Sequence, residues 1–94
     1  MNPVKLNFGE YIHQLRKEHR LSLKIVADKL RIDISMLSKI EHGERQVQGH
    51  MLKPLADIFE LDFKKLQIKY LQQRIEQEYG NEPFFNEAME LMIK

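Results

Sequence analysis

Residues 21–44 read LSLKIVADKLRIDISMLSKIEHGE, and their spacing decides the fold. Ser22 is suited to the position just before a helix, where its hydroxyl accepts a first-turn backbone N–H. Leu23, Val26, Ala27 and Leu30 then form one apolar stripe. Asp33 is the next capping candidate and opens a helix from Ile34 to Glu41. Gly43 stops it, because glycine takes the left-handed conformation that terminates helices at little cost.

Outward from this pair, the helical pattern continues in both directions. Asn7 can cap a first helix with Glu10 reaching back in a capping-box arrangement, and Phe8, Ile12 and Leu15 share one face. That helix should end near His19. A fourth helix is expected from about Gly49 to Glu60, carrying Leu52, Leu55, Ile58 and Phe59, with Pro54 in its first turn or at a bend. Asp62 can cap a longer fifth helix through Tyr79, ended by Gly80 and Asn81, and Pro83 sits where a sixth would begin. On the fifth, Phe63, Leu66 and Tyr70 are placed to close the core. No segment alternates as a half-buried strand would.

Composition agrees with one small folded domain. The 94 residues are 43% hydrophobic and 31% charged, with no cysteine, so disulfides, thiolate metal sites and cysteine nucleophiles are excluded. No wholly apolar run exceeds three residues, where a membrane span needs about twenty. The chain reads as soluble and cytoplasmic. Its formal charge of +1 names no partner, but the distribution is uneven: residues 1–69 hold 13 Lys and Arg against 9 Asp and Glu, and residues 70–94 hold 2 against 5. A basic segment followed by an acidic, apolar one suggests two surfaces with different partners.

Residues 21–44 also fit a helix-turn-helix, whose second helix can enter a major groove about 12 Å wide. With Leu37 facing inward and 100° per residue, Ile40 and Glu41 join it, while Ser35, Ser38, Lys39 and His42 lie opposite. Hydroxyls that donate and accept, and an ammonium that suits guanine acceptors or phosphate, are what a groove-facing surface requires. Ile34, at the start of the helix, is placed to lie against a thymine methyl. The four histidines, at 13, 19, 42 and 50, lack the i, i+4 spacing of a helical zinc hydrolase. No phosphate loop or Ser/His/Asp arrangement occurs. Binding without catalysis, metal or cofactor is the expectation.

From Phe8 to Leu66 the chain resembles the XRE/Cro-type helix-turn-helix family of bacterial and phage regulators. The matching elements are FGEYIHQLRKEHRLS, VADKL, ISMLSKIEHGER and LADIFELDFKKL. The resemblance implies an all-α, five-helix Cro/phage-repressor-like DNA-binding domain over residues 1–69. Residues 70–94 would extend the fifth helix and add a C-terminal one. It implies base reading by Ile34, Ser35, Met36, Ser38 and Lys39, and phosphate contacts from Ser22, Lys24, Arg45 and Gln46. It also implies a structural ion pair between Arg16 and Glu41. Leu23 stands where relatives commonly carry a phosphate-binding glutamine, and Arg20 and Arg31 stand where they often end helices with glycine.

Beyond the resemblance, Ile68, Leu71, Ile75 and Tyr79 form a second stripe on the fifth helix, and Phe84, Phe85, Met89 and Met92 add apolar surface after Pro83. One helix cannot bury both stripes in a five-helix domain. Either the last helix folds back over the second stripe, or these residues form a homodimer interface, as a palindromic double-stranded DNA operator requires. Dimerisation is favoured. An antitoxin-like module holding a partner protein through the same tail is the alternative in another class, and a restriction-modification controller is a further one. Glu82, Glu87 and Glu90 oppose anionic lipid, so a membrane partner is not expected.

Overall fold

The computed structural model describes residues 7–93; residues 1–6 and 94 of the two expected segments lie outside the described residues. Six α-helices follow one another: α1 (Phe8–Glu18), α2 (Leu23–Leu30), α3 (Ile34–Glu41), α4 (Leu52–Ile58), α5 (Phe63–Tyr79) and α6 (Phe85–Met92). A 3-10 turn over Gly49–Met51 leads into α4, and no strand occurs among the described residues. The fold is all-α.

Three of the expected caps are made. Asn7 Oδ1 accepts from the Glu10 amide at 2.8 Å, Ser22 Oγ from Ile25 at 3.1 Å and Asp62 Oδ1 from Lys65 at 3.0 Å. Each satisfies one of the N–H groups that the first turn of a helix leaves without an internal partner. Glu10 bonds the Asn7 side-chain amide at 3.1 Å, rather than its backbone. Asp33 holds the extended capping conformation but makes no side-chain cap bond. The fourth helix is shorter than expected, since Gly49–Met51 is 3-10, and Pro54 falls in the first turn of α4, where its missing N–H costs nothing. The sixth begins at Phe85, not Pro83.

The ends of α1 to α4 share one device. Arg20, Arg31, Gly43 and Glu60 have φ of +55°, +59°, +79° and +55°. In each case the next amide bonds a carbonyl five residues back: Leu21 to Arg16, Ile32 to Ala27, Glu44 to Lys39 and Leu61 to Ala56. This is the Schellman closure, and only one of the four uses glycine.

α3 packs on α1 and α2, and α4 on α2 and α5. At their meeting point lie Ile12, Val26, Ala27, Leu37, Leu52, Leu55 and Phe59, all essentially inaccessible. Leu66 closes the core from α5, with Tyr70 half-buried beside it. Phe63 does not join them: it is 37% exposed, lying at the mouth of the core with the Lys53 ammonium 5.5 Å from its ring centre.

Candidate nucleic-acid interface

The second helix of the motif, α3, is fixed by what lies behind it. Leu37 and Ile40 are buried in the core. Glu41, only 6% exposed, receives the Arg16 guanidinium in a two-pronged contact, Nε to Oε2 at 2.7 Å and Nη2 to Oε1 at 3.1 Å. Arg16 Nη1 also donates to the Leu21 carbonyl at 3.0 Å, so one side chain ties α1, the turn before α2 and the end of α3. The expected Arg16–Glu41 contact is therefore present. His13 Nδ1, 2.7 Å from Glu41 Oε1, adds a second donor. Burial pushes the Glu41 carboxyl up, but the hydrogen bonds from Arg16 and His13, aided by their charges, outweigh it and hold the pKa below its ordinary value.

A glycine that sequence reasoning passed over completes the support. A Cβ on Gly9 would stand 1.9 Å from the Ile40 carbonyl oxygen, so α1 approaches α3 as closely as it does because residue 9 has no side chain. An isolated glycine inside an otherwise helical pattern was the available signal. The sequence assigns Tyr70 only to the core; its hydroxyl donates to the Val47 carbonyl at 3.1 Å and fastens the loop after α3 to α5.

On the opposite side of α3, Ser35 and Lys39 are exposed, Ile34 is 45% exposed and Ser38 is half-buried. Met36 leans back against the core, leaving part of its side chain at the rim. His42 Nδ1 donates to the Ser38 carbonyl at 2.7 Å, a bond that ties its ring to the last turn of the helix. The surface is thus small and polar at its centre, with an apolar residue at the N-terminal end and an ammonium one turn on.

The four expected phosphate contacts lie at the start of α2 and in the loop after α3. Ser22 Oγ accepts from the Ile25 amide, leaving its own proton available to an acceptor. Lys24 lies 3.2 Å from Asp28, in a pair with both side chains well exposed, an interaction weak enough to exchange for another anion. Arg45 and Gln46 are exposed on a loop that folds back on α3, where the Glu44 and Arg45 amides bond the Lys39 carbonyl. The loop that carries Arg45 and Gln46 is thereby tied to α3. Among the described residues no cluster of three or more His, Cys, Asp or Glu could hold a metal ion, and no helix is long and apolar enough to cross a membrane.

The tail is open. Ile68, Leu71 and Tyr79 on α5 are about half exposed, and Ile75 less so. Phe85 and Met89 of α6 are half-buried, but α6 buries no residue fully. Phe84 and Met92 are 72% and 75% exposed. Ile75, Tyr79, Phe84, Phe85, Met89 and Met92 instead line an apolar groove of about 540 Å³. The last helix therefore folds back only in part, and the second stripe stays largely uncovered.

Helices packed in this order, with a short polar-faced helix projecting from a helix-turn-helix, define a DNA-binding regulator of the helix-turn-helix class. The helix-turn-helix family model matches residues 12–66, more than half of the chain, and the protein belongs to the XRE/Cro-type helix-turn-helix family. No curated protein and no solved structure matches the chain.

Proposed function

We propose that the protein is a sequence-specific regulator of transcription that inserts α3 into the major groove of double-stranded DNA. The observation that carries this is the outward face of α3, where Ile34, Ser35, Ser38 and Lys39 stand on a helix whose orientation is fixed by the buried Arg16–Glu41 contact. A helix already held in place need not be ordered on binding, and hydroxyls with an ammonium match base-edge acceptors and donors. Ser22, Lys24, Arg45 and Gln46 set the register on the backbone. Selection of bound duplexes from a random library tests the reading. One enriched motif, bound with steep salt dependence, is the expected result. Absence of any enriched motif would overturn it.

The regulator acts as a homodimer on a palindromic operator, with half-site centres about one duplex turn apart or a multiple of it. The uncovered residues Ile68, Leu71, Ile75 and Tyr79 of α5, together with Phe84, Phe85, Met89 and Met92, form the contact. Their exposure supports a partner surface, because water-facing apolar side chains at this density are costly in a monomer. The same exposure, with the acidic character of residues 70–94, is what an antitoxin-like grip on another protein would need. Sedimentation of the purified chain separates the two: a stable dimer supports self-association, and a monomer at all concentrations supports the partner.

A further inference from the structure

The inward face of α5 changes character along its length. Leu66 is buried and Tyr70 half-buried, and the next residues on the same face are Gln73, Arg74 and Gln77. A helix continuing over a core would carry apolar residues at those positions. Here the face has run past the core and lies beside the loop after α3. Arg74, Gln77, Arg45, Gln46 and Gly43 border a recess of about 110 Å³, and none of the residues lining it is acidic. Arg74 is also the lone basic residue among the described residues beyond position 70, in a segment otherwise rich in glutamate. Arg45 and Arg74 thus bring two cationic residues to one recess, the second of them paired with Glu78.

We propose that Arg74 is a DNA-phosphate contact that extends the backbone-binding surface of Arg45 and Gln46 onto α5, outside the family-matched residues 12–66. This rests on the DNA-binding reading above. The Arg74 side chain is about one-third exposed and bonds Glu78 through Nη2. That bond uses one of five guanidinium N–H donors, leaving the others for phosphate oxygens. Gln77 acts as a positioning residue, with its Oε1 3.5 Å from Gln46 Nε2, on the side of the recess where the loop must be held. A phosphate contact at this point follows the backbone and reads no base.

The test is the salt dependence of DNA binding by the full chain, measured on the selected operator and on an unrelated duplex. Arg74→Ala should lower the slope of log affinity against log salt by about 0.9 per bound protomer on both duplexes. Arg74→Lys should restore it, and thermal melting should show both variants folded. Arg45→Ala serves as the reference. A lowered slope for Arg45→Ala with an unchanged one for Arg74→Ala would overturn the assignment and leave the DNA-binding reading intact. So would Arg74-dependent binding of inorganic phosphate alone, with the DNA slope unaffected, since the recess would then take a free anion. If the wild-type chain bound no duplex, the parent reading would fall, and this one with it.

Discussion

Arg16 and Glu41 form a buried charge pair whose value lies in what it holds. Removing Arg16 leaves Glu41 desolvated with only its His13 bond, so Arg16→Ala should cost up to about 3–5 kcal/mol in urea denaturation. Because the Glu41 pKa is lowered in the folded chain, its contribution is present above the ordinary glutamate value of about 4.3 and is lost as pH falls through the lowered folded value. A Glu41→Gln chain should therefore lose less stability than the wild type when both are taken from neutral pH into that acid range. Gly9→Ala sets a Cβ against the Ile40 carbonyl, and the shift it forces between α1 and α3 should cost about 1–3 kcal/mol. At Arg31 and Glu60 the left-handed backbone strains any L side chain with a Cβ. Replacing either by glycine should raise stability by up to about 1 kcal/mol, read as a higher melting temperature. Glycine at 43 announced its turn in the sequence. Glu60 did not, since a charged residue at a helix end has many other reasons to be there.

α3 is a short helix with two unlike faces, and its function depends on their separation. Ser35 and Lys39 stand one turn apart on the exposed face, so Ser35→Ala and Lys39→Ala should narrow the affinity gap between operator and unrelated DNA. The loss should be about 1–3 kcal/mol where a good base contact is removed, measured by competition binding. Arg45→Ala should instead weaken all duplexes alike and flatten the salt dependence. If Lys39→Ala left base preference untouched, the groove-facing side of α3 would have to be reassigned. The bounds of this helix, Ile34 to Glu41, are legible in the sequence because a cap, a stripe and a terminating glycine are all read within a few residues of one another.

For the molecule as a whole, the near-neutral total conceals a basic DNA-binding region and an acidic tail. α5 links them: its first half closes the core through Leu66 and Tyr70, and further along Arg74 stands at the edge of the uncovered stripe, between the recess and Leu71, Ile75 and Tyr79. A charge placed on the exposed stripe disturbs no core residue, so Leu71→Glu should keep the fold while driving the proposed homodimer to monomer in sedimentation. Operator affinity should then fall as paired half-site binding is lost, while a single half-site is bound as before.

Capping, periodicity and turn residues are local, so the order of helices, the outward face of α3 and the split in charge can be read from the residues alone. The Arg16–Glu41 pair is implied by resemblance to a family, and the two side chains meet at 2.7 Å. Contacts between distant segments belong to another level. That Gly9 must be bare to admit the Ile40 carbonyl, that Tyr70 fastens Val47, that Phe63 stands outside the core and that Arg74 borders the same recess as Arg45 all depend on how the helices meet. Periodicity gives each helix its faces, but only packing chooses which face meets which neighbour, because burial is a property of the assembled core and of no single segment.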